Sequence, residues 1–201
     1  MDFGANVMAS TGHGIYTVLS PKLLPPLYLA YNTNAAGDSG KVHSDVKARW
    51  HAGDETIRGG MASVAALADG LMEALRSGDF DAIPTLMATN FSWRRRMYGD
   101  AVVGARNIEM IETAAAHGMA AKFTGSGGAI VCVRDLSKSS GGGGGGGGGG
   151  RGEPSAYLLS EEEERLAKED FASRGFEFMK VIVPQASGGS LSSGGMVLQI
   201  D

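Results

Sequence analysis

Short apolar runs separated by glycine, proline and asparagine open the chain. "GIYTVL" (14–19) and "PPLYLAY" (25–31) predict two strands. "NTNAAGDSG" (32–40) then predicts a loop, because Asn32, Asn34, Gly37 and Asp38 tolerate the backbone angles of tight turns. From Asp54 the apolar period lengthens. Ile57, Met61, Val64, Leu67, Leu71 and Leu75 recur in steps of three and four, predicting a helix of about 20 residues with that stripe in the core. "SGDFDAIP" interrupts it, Asp81 is placed to cap a second helix, and Pro84 falls in its first turn. Phe80, Ile83, Leu86, Met87 and Phe91 continue the buried face. A third helix, Arg106 to His117, buries Ile108, Ile111 and Ala115 and stops at Gly118.

Strand character returns in "MAAKFTGSGGAIVCV" (119–133), two β-branched and aromatic stretches around a glycine turn. Ser160 and Glu163 then form a capping box, and Glu161/Arg165 and Glu164/Lys168 are spaced as helical ion pairs. "FEFMKVIVP" (176–184) reads as a final strand. The sum is an α+β domain in which helices cover one face of a largely antiparallel sheet.

Composition changes this picture in one place. Of 32 glycines, ten form the single run Gly141–Gly150, so residues 137–156 read as a flexible surface insertion and the remainder as ordinary globular protein. Residues 184–201 read as a disordered tail, and no internal repeat is evident. At 201 residues the chain has room for one substantial core. A net charge of −4 argues against a broad nucleic-acid-binding face, and no run is long and apolar enough to predict a membrane span or an export signal. A single cysteine, Cys132, excludes an intramolecular disulfide and fits a cytoplasmic setting.

Three stretches carry candidate chemistry. In "KFTGSGG" (122–128) the absence of Cβ atoms lets backbone N–H groups converge, so the run is either a plain β-turn or an anion-associated loop. "GDSGKVHS" (37–44) contains Gly-Lys but is no P-loop: Val42 follows Lys41, and Ala35 stands where the first glycine belongs. Asp38, Ser39, Lys41, His43 and Ser44 remain candidates for a polar site at a helix start. In "NFSWRRRMYGD" (90–100) three adjacent arginines diverge by about 100° each on a helix. One of them is available to a carboxylate while the others face solvent or pair with Asp100. The four histidines lack ligand spacing, so no protein-bound metal is expected, and no nucleophile flanked by a base is visible.

The order of these features resembles the C-terminal domain of the GHMP sugar and metabolite kinases. Lys122, Thr124, Gly125, Ser126, Gly127 and Gly128 match that family's third motif, a glycine-rich strand turn. Within the superfamily, "MDF", "HGIY", "LLPPLYL", "DSGKVHS", "RRRMYGD", "NIEM" and "KFTGSGGA" in this order are similar to the plant-type glucuronokinase family, over roughly Met1 to Val133. The resemblance implies a ferredoxin-like α+β domain over residues 27–183, preceded by residues 1–26 as a lead-in or remnant of an N-terminal kinase domain. It implies transfer of the γ-phosphoryl group of ATP, with Mg²⁺, to the anomeric hydroxyl of D-glucuronate, giving glucuronate 1-phosphate. Lys122 and Thr124 to Gly128 are then expected on the nucleotide side, where the turn supports a separate phosphate loop. Asp38, Ser39, Lys41 and Arg94 are expected on the sugar side. The family's Gly-Leu-Gly-Ser-Ser loop and catalytic aspartate are not in this sequence, so catalysis is expected to need an N-terminal half in cis or in trans, and turnover by this chain alone to be weak or absent. The alternative is a non-catalytic ligand-binding or partner module.

Overall fold

The computed structural model describes residues 4–16, 19–32, 39–125, 127–138 and 153–183, with backbone alone for residues 39–44. Helix α1 (Ala5–Thr11) leads to β1 (Tyr28–Tyr31), followed by α2 (Ser39–His51), α3 (Glu55–Ser77), α4 (Ala82–Tyr98), the short α5 (Asp100–Val103) and α6 (Ala105–Ala116). The hairpin β2 (Met119–Phe123) and β3 (Ala129–Arg134), then α7 (Glu161–Ser173) and β4 (Glu177–Lys180), complete the fold. The four strands form one antiparallel sheet in the order β2-β3-β1-β4. This is an α+β architecture of the split β-α-β kind, in which β1 sits between strands made much later in the chain.

Register explains the core. Phe123, Ile130, Ala30 and Phe178 align across the four strands, and all are buried. Their row meets Phe91 of α4, Met110 of α6 and Phe171 of α7. The Phe171 and Phe178 rings stack at 4.9 Å between centroids, and Tyr28 continues the stack at 5.5 Å from Phe178, an arrangement worth more than its buried area alone. A second apolar cluster joins Ala74, Phe80, Ile83 and Met87 to Ala120, Val133 and Tyr157. Because side chains alternate along a strand, Ala120 and Val133 project opposite to Ala121 and Cys132. Packing therefore reaches round to the second face at that end, while the cross-strand row Lys122, Val131, Leu29, Met179 on it is only half-buried.

Several expectations need correction. Among the described residues of "GIYTVL" no strand forms: Ile15 makes an isolated bridge and Tyr16 is exposed. A short helix, α1, precedes it and buries none of its residues. The α3 stripe is core only at its ends, with Ile57 and Leu75 buried and Met61, Val64, Leu67 and Leu71 half-exposed. Asp81 stands at the N-cap of α4 without capping it; its carboxylate accepts instead from the Tyr157 hydroxyl at 2.5 Å. In α6 the buried face is Met110, Ile111, Thr113 and Ala114, whereas Ala115 is exposed. On α7 the capping box forms as expected, but Arg165 pairs with Glu162 and Glu169 rather than Glu161. The Gly141–Gly150 run and the 184–201 tail lie outside the described residues.

Candidate functional site

The glycine turn joins β2 to β3 with the sheet's free edge on one side and two helices behind it. Its stem closes through the Thr124 N–H to Ala129 O bond at 3.2 Å, supported by the Thr124 hydroxyl at 3.4 Å. The carbonyl of Gly128 accepts from Asn32 N–H at 2.8 Å, so the end of β1 is tied to the turn. Gly127 and Gly128 have φ of 133° and 80°, values that a side chain would oppose. Gly125 has no such requirement, and a Cβ there would meet open space. The residues do different jobs although the sequence makes them look equivalent. Ser126 lies outside the described residues.

Two side chains fix the turn from behind. Asn107, in the first turn of α6, accepts from Gly128 N–H at 2.8 Å and donates through Nδ2 to Val103 O at 2.8 Å. Its amide lies so close to Gly127 that a Cβ on that residue would sit 2.7 Å from Nδ2. Arg94, on α4, donates from Nη1 to Gly125 O at 2.7 Å while its guanidinium lies over the rings of Phe123 and Tyr98, 5.3 and 5.9 Å from their centroids. Asn107 was not a sequence candidate. The signal was available in the quoted "NIEM" motif, but its role depends on a contact 21 residues away.

Lys122, the last polar residue of β2, is half-buried and donates to Phe123 O at 2.7 Å. Burial pushes its amine below the usual lysine range, and the nearby Arg94 charge pushes it in the same direction. The structure thus gathers Lys122, Thr124, Gly125, Gly127, Gly128 and Arg94 in one place. Arg94, expected with the sugar-side residues, lies at the same turn as the nucleotide-side group. Ser39 and Lys41 lie in the first turn of α2, and Asp38 lies outside the described residues. The other two arginines diverge: Arg95 forms a bidentate pair with Asp100, and Arg96 lies over Trp93.

The cationic side chains of Arg94 and Lys122 at the glycine turn suit an oxyanion. They do not suit Mg²⁺, which takes oxygen ligands. Among the described residues no cluster of three or more His, Cys, Asp or Glu is placed to hold a metal. No helix of the described residues is long and apolar enough to cross a membrane.

No family model matches the chain. Over 131 residues, 65% of its length, it is 52% identical to "Probable glucuronokinase 2" and to "Glucuronokinase 1", both of Arabidopsis thaliana. The matched part is 36% of each relative, so the chain spans little more than a third of their length. The fold is similar to a Lin0012 protein from Listeria innocua, with a TM-score of 0.59 at 13% identity over 81% of this chain and 40% of that one. It is also similar to L. major mevalonate kinase, solved with R-mevalonate, with a TM-score of 0.58 at 16% identity over 82% of this chain and 43% of that one. In fold the chain resembles the C-terminal part of the GHMP-type kinases, and in sequence it resembles the glucuronokinases among them.

Proposed function

We propose that this chain supplies the C-terminal part of an ATP-dependent sugar kinase that phosphorylates the anomeric hydroxyl of D-glucuronate to glucuronate 1-phosphate. The observation that carries the reading is the 52% identity to glucuronokinases over 131 residues; beside it stands a glycine turn whose backbone is pinned by residues of two helices. ATP supplies the phosphoryl group. In such transfers protein groups act mainly by positioning and by charge stabilisation. Asn107 and Arg94 would hold the turn rigid, so that it supports a triphosphate-binding loop contributed by an N-terminal half. Ser39 and Lys41, with Asp38, would face the sugar. Mg²⁺ would enter with the nucleotide, bridging its phosphate oxygens.

A chimera tests this. The matching segment of the Arabidopsis Glucuronokinase 1 is replaced by this chain's sequence, and glucuronate-dependent ATP consumption is followed alongside the isolated chain. The expected result is turnover by the chimera and little or none by the chain alone. A folded chimera without turnover overturns the kinase reading and favours a non-catalytic binding module.

A further inference from the structure

Helix α3 packs on α4 with one face and leaves the opposite face in solvent. Arg58, Ala62, Ala65, Ala66, Asp69 and Glu73 follow one another along that outer face and all are exposed; Glu55 and Arg76 extend the row at its two ends. Between Arg58 and Glu73 the only charged residue is Asp69. Charge gathers instead at the ends, Glu55 with Arg58 and Glu73 with Arg76, and none of these four makes an ion pair among the described residues. On α7, by contrast, Arg165 pairs with Glu162 and Glu169, and Arg174 with Asp170. Arg58 donates from Nε to Trp50 O at 3.2 Å, which leaves both Nη groups available.

This order of charges is self-complementary in one orientation only. A parallel pair of α3 helices would set each charge against its own copy. An antiparallel pair, with a two-fold axis between Ala65 and Ala66, sets Arg58 against Glu73 of the second copy about 11 Å from the axis, and Glu55 against Arg76 about 16 Å from it. Symmetry repeats both contacts, as an isologous interface requires. Asp69, one turn nearer the axis than Glu73, stays within reach of the same Arg58 guanidinium. At the centre Ala62, Ala65 and Ala66 carry nothing beyond Cβ, so the helix axes can close to about 8 Å, the short end of the usual range. We propose that the outer face of α3 is a homodimer interface, on which two copies of this chain pair antiparallel and take their register from the Arg58–Glu73 and Glu55–Arg76 ion pairs. One helix pair is a small interface, so the dimer is expected to be weak, with a Kd of about 10–100 μM. The pairing does not depend on the kinase reading.

Sedimentation equilibrium of the 201-residue chain, from about 5 μM to about 500 μM, tests this. The mass is expected to rise from one chain towards two. Arg58→Glu brings like charges together at both ends of the pair and is expected to weaken the dimer at least about tenfold. Arg58→Glu combined with Glu73→Arg restores the opposition and should recover it. Both changes suit the helix dipole, an acid near the N-terminus and a base near the C-terminus, so α3 itself is not weakened. Ala66→Cys stands beside its own copy at the axis and is expected to form a disulfide-linked dimer faster than Ala88→Cys on the exposed side of α4; the buried Cys132 does not compete. A chain that stays monomeric throughout overturns the proposal, as does a dimer indifferent to Arg58→Glu or a double variant no tighter than the single one. Equal cross-linking by the two introduced cysteines overturns it as well.

Discussion

Asn107 acts as a spacer between the start of α6 and the glycine turn, and its fit leaves no room for a methyl group on Gly127. Gly127→Ala is expected to destabilise the fold by about 1–3 kcal/mol, because the added Cβ meets the amide and the backbone angle is unfavourable for it. Asn107→Ala strands the Gly128 N–H and is expected to cost about 1–3 kcal/mol. The double variant should cost less than the sum, since removing the amide relieves the clash, and denaturant melts of the four proteins measure the coupling. Strict additivity would mean that the two residues do not touch in solution. A second residue-scale effect concerns Asp170, whose carboxylate lies 3.0 Å from His117 Nε2 and accepts from Arg174 Nε at 2.9 Å. These partners, His117 first, hold its carboxyl below the usual range. Its contribution is therefore complete above the unfolded-state value and is lost as pH falls through the lowered folded-state value. Asp170→Asn is expected to flatten the loss of stability between about pH 5 and pH 2, read as the shift in denaturation midpoint.

Adjacent glycines on α3 separate two elementary forces. Gly59 is exposed with nothing near its missing Cβ, so Gly59→Ala should stabilise by about 0.5–1 kcal/mol through helix propensity. Gly60 faces α4, where a Cβ would stand 2.6 Å from Met97 Cγ and 3.3 Å from Trp93. Met97 is only 2% exposed and cannot swing into solvent, so Gly60→Ala should destabilise by about 1–3 kcal/mol despite the same gain in propensity. Thermal melts that move in the same direction for both variants would refute this crossing of α3 and α4. The element scale is also where the sequence was most legible. Helices α3, α4 and α6 announce themselves because a buried face imposes a period, and α7 because its capping box and charge spacing are local signals. "GIYTVL" misleads because strand propensity needs a partner, and β1, which follows it, is already bonded on both sides by β3 and β4. Helix α1 buries nothing and so leaves no periodic trace. Asp81 reads as a cap because the competing hydroxyl, that of Tyr157, is 76 residues away. For the same reason the glycine turn was legible in outline, while its Asn107 and Arg94 supports were not legible as a group.

At the scale of the whole molecule, the single cysteine offers a probe. Cys132 lies on β3 with no exposed surface, and burial pushes its thiol well above the ordinary range. Alkylation in native buffer should therefore run at least about a thousandfold slower than in denaturant and should track global opening. Rapid native labelling would place the central sheet in a more loosely closed state than the one described. The strand order carries a further consequence, for synthesis rather than for stability. Residues 28–31 leave the ribosome well before both of their partners, one of which begins at Ala129 while the other ends at Lys180. A nascent chain can assemble the α3–α4 pair long before it can assemble a sheet, and until the last strand emerges the apolar β1 has an unsatisfied edge exposed to other chains. Slowing translation between the hairpin and β4 should therefore prolong the interval in which chaperones are needed, while leaving the finished protein unchanged.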